Sequence, residues 1–192
     1  DTALPNTRMS VPVIDLFAGP GGLGEGLSRA STADFRTVIS IEKDEMAART
    51  LTLRAAHRSL KRLLEKAGKD EAISIWARWD AILADAPWKE AIDRLARSGI
   101  DSIALACHEA RHEAQQFELG PDHRKAASDL IRDRLTPYMA DGRLPENIVL
   151  IGGPPCQAYS LVGRARNRGK EDYRPEQDHR HFLYKEYLQV IA

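Results

Sequence analysis

Several classes of function are excluded by what this sequence lacks. There is no charge excess: 28 Lys+Arg balance 28 Asp+Glu, giving a formal net charge of zero. A polyanionic partner would therefore have to be met by a local basic patch. Cysteine is scarce. Two thiols in 192 residues, Cys107 and Cys156, cannot make a disulfide framework, and a reducing, cytoplasmic setting is the expectation. No apolar run approaches the ~20 residues of a bilayer span, so no membrane partner is expected. Asp1 to Ser10 contain no apolar core of the secretory type. Aromatic residues are few, at 6%, while hydrophobic residues make up 43% and charged residues 29%. That balance is ordinary for a globular chain long enough for one domain with a real core.

The order of elements is legible. Val11 to Leu16 reads as a short buried strand, followed by a glycine-rich loop and a helix starting near Leu23. Arg36 to Ile41 reads as a second strand ending at Glu42, and Asp44 to His57 as a helix. Strand, loop, helix, strand and helix form the βαβ pattern of a parallel sheet. Residues 58–142 differ. Leu60, Leu63, Leu64, Ile73, Trp76, Trp79, Ile92, Leu95 and Ile100 recur at three- and four-residue steps between charges. Ala67-Gly68, Ala86-Pro87, Ser98-Gly99, Gly120-Pro121 and Thr136-Pro137 interrupt them. This region reads as a helical insertion between strands, with Asp101 to Ala106 compatible with strand or helix. Ile148 to Ile151 reads as another buried strand, and a last amphipathic helix runs from about His181.

Two motifs sit where open α/β sheets put their chemistry, at the carboxyl ends of strands. The first is Asp15-Leu16-Phe17-Ala18-Gly19-Pro20-Gly21-Gly22-Leu23-Gly24. It satisfies G-x-G-x-x-G, and Glu42 follows at a distance suited to gripping ribose hydroxyls. A dinucleotide site and a ligand-free tight turn both remain readings of this loop. The carboxylate of Asp15 argues against a pyrophosphate and suits a cationic amino-acid group, as in S-adenosylmethionine. The second motif is Gly152-Gly153-Pro154-Pro155-Cys156-Gln157-Ala158-Tyr159-Ser160. It holds a thiol on a stiff turn, a setting for a nucleophile rather than a packed cysteine. Arg164, Arg166 and Arg168 lie in a glycine-flanked basic loop just beyond, suited to phosphate contacts. Cys107, with His108 and His112, offers too few ligands for a metal, as do His179 and His181; no metal site is expected.

These residues resemble the cytosine-5 DNA methyltransferase family: the glycine motif is similar to its first signature, and Gly153 to Ser160 to its nucleophile signature. The resemblance covers about 11–57 and 147–192. It implies a Rossmann-like, S-adenosylmethionine-dependent α/β fold in which 11–57 form the cofactor-binding half, 58–142 the helical insertion and 147–192 the nucleophile loop and following helix. It implies that Phe17, Ala18, Gly19, Pro20 and Gly22 line the cofactor pocket, that Glu42 holds the ribose hydroxyls and that Leu183 borders the site. Lys43 stands where the family usually carries an apolar or aromatic residue against adenine. Cys156 would add to C6 of a flipped cytosine, with Pro155 holding the base. Gln157, Ser160, Arg164, Arg166, Arg168 and Arg180 would face the DNA. Double-stranded DNA is the implied partner, with a cognate endonuclease where the protein belongs to a restriction-modification pair. The family's adenine-binding aspartate is not recognisable in the insertion, and its Glu-Asn-Val signature does not occur before Ala192. The expectation is therefore an N-terminal part of a catalytic domain, inactive alone. A tRNA cytosine-5 methyltransferase and a non-catalytic cofactor- or DNA-binding fragment are the competing readings.

Overall fold

The computed structural model describes residues 10–30, 32–154 and 183–191. Four strands are present among them: β1 (Val11–Leu16), β2 (Phe35–Glu42), β3 (Ala114–Gln116) and β4 (Val149–Gly152). They form one sheet in the order β3-β2-β1-β4, and every pairing is parallel. The helices are α1 (Gly22–Ser28), α2 (Glu45–Leu64), α3 (Lys69–Asp85), α4 (Ala91–Ala96), α5 (Asp101–Glu113), α6 (Arg124–Leu135) and α7 (Leu183–Ile191). None is long and apolar enough to cross a membrane.

β1 is the centre of the sheet, and Pro12 to Leu16 are buried on both faces, as a parallel strand between helical layers must be. Its side chains divide by the period of two. Ile14 and Leu16, with Ile39 and Ile41 of β2, join a core completed by Ala127, Ile131 and Leu135 of α6. Asp15 and its register partner Ser40 point the other way, towards α1, α2 and α5. This is the doubly wound α/β architecture that the sequence predicts.

The region 58–142 is not wholly helical. α5 ends at Glu113 and the chain passes straight into β3, which pairs with Ser40–Glu42. Ala-Gln-Gln is too short and polar to show an apolar run, so the strand has no periodic signal. Asp101 to Ala106 is helix. α3, α4 and α5 of the insertion build a second core with α2, centred on Leu60, Trp79, Leu95, Ile103 and Cys107, while α6 packs on the other face of the sheet. At the edge of the second core the exposed His57 and half-buried Trp76 pack their rings against the buried Trp79. The helix breaks fall where glycine and proline predict. Asp44 caps α2, its carboxylate accepting from the Ala47 N–H at 2.8 Å, worth about 1 kcal/mol.

Candidate functional site

All four strands end at the same edge of the sheet, and of the candidate residues Phe17 to Gly22, Glu42 and Lys43 lie there. The glycine loop leaves β1 through Phe17, whose φ is +55°. A non-glycine residue in this region costs about 1–3 kcal/mol and is held only by its surroundings. Here Phe17 packs against the core on the α6 side of the sheet. Gly19 and Gly21 also have positive φ, 55° and 86°. Gly21 is fixed twice over, because a Cβ there would lie 2.7 Å from Leu51 Cδ1.

The loop is tied down from three directions. The Ala18 N–H donates to Ile41 O at 3.0 Å. The Gly19 N–H donates to Glu42 Oε2 at 2.8 Å. Arg54 of α2 donates to Pro20 O at 3.0 Å. Glu42 Oε1 accepts from the Asp44 N–H, also at 2.8 Å. The predicted ribose acid is thus a structural tie as well. Each of its oxygens keeps an acceptor position, so it can hold the loop and still receive hydroxyl protons.

β3 adds a wall that the sequence did not disclose. The Phe117 N–H donates to Glu42 O at 2.9 Å, setting Phe117 and Glu118 beside the end of β2. Glu118 pairs with Lys43 at 3.3 Å, both side chains about half exposed. His123 lies edge-on to Phe117, 5.7 Å between ring centroids. Lys43, standing where an apolar residue was expected, is drawn to this acid. No signal marked Glu118 in advance, because β3 itself was invisible.

Beneath the loop lies a charged seam. Asp15 is fully buried, and among the described residues neither of its oxygens, nor Ser40 Oγ, has a hydrogen-bond partner. Burial pushes the Asp15 carboxyl up to about 6, Glu113 and Glu42 add to the rise, and Arg58 and the Gly24 amide oppose it. The carboxyl does not reach the surface, so it cannot touch a bound ammonium. Any attraction acts through the field. Arg58, itself buried, donates to Glu25 of α1 at 3.0 Å and to Glu113 of α5 at 2.5 Å. Burial raises the pKa of Glu113 despite that partner.

β4 brings the start of the second motif, Gly152 to Pro154, alongside the first. Leu16 is paired with Gly152, so Gly153-Pro154 leave the sheet next to Phe17. Pro155, Cys156, Gln157, Ser160, Arg164, Arg166, Arg168 and Arg180 lie outside the described residues, as do His179 and His181. Leu183 is buried at the start of α7. That helix is anchored by Tyr187, which donates to Leu150 O at 3.0 Å, and by Glu186, which receives a two-pronged bond from Arg124. Cys107 is fully buried, and desolvation pushes its thiol up to about 11, so it is not reactive at neutral pH. Among the described residues no three His, Cys, Asp or Glu side chains converge as metal ligands. A cavity of about 800 Å³ lies elsewhere, between α6 and α7 under Ile14 and Leu150.

Comparison with known proteins gives two relatives. Over 182 residues, 93% of the chain, it is 25% identical to Type II methyltransferase M.Bpa9945I of Bacillus paralicheniformis, matching 37% of that protein. A stretch of 43 residues, 22% of the chain, is 49% identical to Putative type II methyltransferase M.OihORF3336P of Oceanobacillus iheyensis, 9% of whose length is matched. The chain therefore spans well under half the length of these relatives. No protein-family model matches it, and no solved structure does.

Proposed function

We propose that this chain carries the cofactor-binding and nucleophile-bearing part of a DNA cytosine-5 methyltransferase. One observation carries the reading. The strained glycine loop, with a glutamate built into it, lies directly beside the strand that leads into Gly153-Pro154-Pro155-Cys156. Similarity to two type II methyltransferases favours DNA over tRNA as substrate.

The residues at the strand ends fit S-adenosylmethionine. Asp15 and Glu42 place carboxyl groups at this edge of the sheet, unfavourable to a pyrophosphate and favourable to an ammonium and a sulfonium, while Glu118 is paired with Lys43. Glu42 would take the ribose hydroxyls; Phe17, Ala18, Gly19, Pro20 and Gly22 would surround the methionine part, with Leu183 at the border. Lys43 and Glu118 would flank the purine, the aliphatic stem of Lys43 covering its face. When bound, the cofactor supplies an electrophilic methyl group.

The chain's own chemistry is the activation of an inert ring carbon. A cytosine in a duplex is out of reach until it is flipped. The Cys156 thiolate adds to C6, and the ring electrons gathered at C5 make that carbon nucleophilic. Pro155 would fix the base through its carbonyl. After C5 carries its methyl group, loss of the C5 proton returns the electron pair to the C5–C6 bond and expels the thiolate. Gln157, Ser160, Arg164, Arg166, Arg168 and Arg180 would meet the DNA backbone and the flipped site. A cognate endonuclease belongs to this reading as the partner of a restriction-modification pair.

The test uses the whole protein that bears this chain, with duplex DNA containing 5-fluorocytosine. Fluorine blocks loss of the C5 proton, so a covalent adduct should accumulate, and mass spectrometry should place it on Cys156. Cys156→Ser should abolish it; Cys107→Ser should not. An adduct on another residue would sink the mechanism, and methylation of tRNA but not DNA would replace the substrate.

A further inference from the structure

We infer that Arg58 is a positioning residue for the glycine loop, holding α1 and the buried Asp15 carboxyl in the arrangement that favours the cationic end of the bound cofactor. The inference rests on the reading of the loop as a cofactor site, and assigns a role to a residue on α2 outside both motifs.

The geometry is specific. Arg58 is 7% exposed, deep for an arginine, and its two terminal nitrogens serve different elements. One holds Glu25, in the first turn of α1; the other holds Glu113, the last residue of α5 before β3. α1 begins at Gly22 within the loop, so the Glu25 bond fixes the helix that the loop runs into. Asp15 lies under the same helix: a Cβ on Gly24 would be 3.3 Å from Asp15 Oδ2 and 3.6 Å from Thr37 Oγ1. A side chain there would press on the Asp15 carboxyl, and glycine avoids it.

The groups acting on Asp15 come from every neighbouring element. Arg58 from α2 and the Gly24 amide from α1 favour the carboxylate; Glu113 from α5 and Glu42 from β2 oppose it. Ser40 is its register partner on β2, and Tyr187 of α7 feels its charge. Arg58 lowers the Asp15 carboxyl directly, while Arg62 of α2 acts on Glu113 and Arg29 pairs with Glu25. A charged Asp15 attracts the N-terminal amide of α1 and, through the field, an ammonium above it. Neutral Asp15 does neither.

Removing Arg58 alone would leave Glu113 buried and unpaired, and Glu113 would then take up a proton. The informative set is therefore wild type, Glu113→Gln, and Glu113→Gln with Arg58→Met. Two readouts are needed. Carbon-13 NMR titration of the Asp15 carboxyl, without cofactor, should show its midpoint move down in Glu113→Gln and back up when Arg58→Met is added. Calorimetric affinity for S-adenosylmethionine should fall about tenfold from pH 7.5 to pH 5 in wild type, and the midpoint of that fall should move in the same two directions. If Arg58→Met does not fold, as judged by circular dichroism, Arg58→Lys in the Glu113→Gln background should keep the Asp15 midpoint where Glu113→Gln put it. An Asp15 midpoint indifferent to these changes, or an affinity reduced equally at every pH, overturns the inference. Absence of S-adenosylmethionine binding at any pH, with the NMR shifts intact, overturns the cofactor reading instead.

Discussion

Substituting Gly152 by alanine tests how the two motifs are brought together. Gly152 is the last residue of β4 and pairs with Leu16, the last of β1. Its φ is +154°, and a Cβ would fall 2.0 Å from Leu16 O and 2.9 Å from Leu16 C. These are main-chain atoms of the central, fully buried strand, flanked by β2 and β4, so they cannot turn aside as a side-chain tip does. The disallowed backbone region costs about 1–3 kcal/mol, and forcing an extra carbon into a packed site adds about 1–3 kcal/mol. The expected loss is about 2–6 kcal/mol. Urea denaturation of the chain followed by circular dichroism measures it. With a slope of about 2 kcal/mol per molar urea, the midpoint should drop by roughly 1–3 M. Gly153→Ala is the control. No atom lies within 4 Å of a Cβ there, so its effect should stay within about 0.5 kcal/mol. Equal midpoints for the two variants would show that β4 does not approach β1 as described, and the case for adjacent motifs would fall with it.

Three further outcomes follow from the same geometry. Gly21→Ala, strained at φ +86° and 2.7 Å from Leu51 Cδ1, should cost about 2–3 kcal/mol; Gly19→Ala, at φ +55° with open space around it, should cost about 1–2 kcal/mol, and thermal or urea melts that reverse this order would contradict the loop. Glu42→Ala should weaken S-adenosylmethionine binding by about 1.5–3 kcal/mol, read by calorimetry, and unchanged affinity would remove Glu42 from the pocket. Asp15→Asn should gain on wild type as pH rises: the native carboxyl titrates near 6 against 3.8 in the unfolded chain, so the native state binds the extra proton between those values and wild-type stability falls as pH climbs through them. Asparagine has no such loss, so its advantage at pH 7.5 should exceed that at pH 4 by about 2–3 kcal/mol; an advantage independent of pH would show that Asp15 is not buried in the fold.

The parts of this molecule that were legible in the sequence carry a period or a fixed turn chemistry. β1 and β2 announce themselves as apolar runs, and the glycine loop by a spacing that only a tight turn explains. The breaks at Gly68, Pro87 and Gly99 mark helix boundaries because those residues punctuate any context. β3 was not legible, for its three residues are held in the sheet by Glu42 and its neighbours rather than by their own propensity. With β3 hidden, Phe117 and Glu118 stayed hidden as well, and Lys43 looked misplaced until its partner was seen. The Arg58 seam was equally silent. Arg58, Glu25 and Glu113 are separated by 33 and 55 positions, and nothing in a solvent-facing pattern of charges tells which three will be buried together.

That seam bears on why the fold is built as it is. On one face of β1 and β2 the chain places Ile14, Leu16, Ile39 and Ile41, which cost nothing to bury. On the other it places Asp15 and Ser40 side by side, both sealed from solvent and without partners among the described residues. A buried polar group left unsatisfied costs about 1–3 kcal/mol, and an ionised carboxyl costs more. An apolar pair would serve stability better, and Arg58 with its two glutamates is a poorer stabiliser than packed hydrocarbon of the same volume. Departures from the apolar rule tend to fall at functional sites. This one lies directly below the loop in which Phe17, Gly19 and Gly21 are all held in left-handed backbone. Strain above and unsatisfied charge below meet in a single place, α1 and its entry, where the field of a cationic ligand would offset part of the cost of the buried carboxylate. The stability given up at Asp15 is thus the counterpart of the binding proposed there, which is why Asp15→Asn should make the fold stronger at neutral pH and the cofactor site weaker.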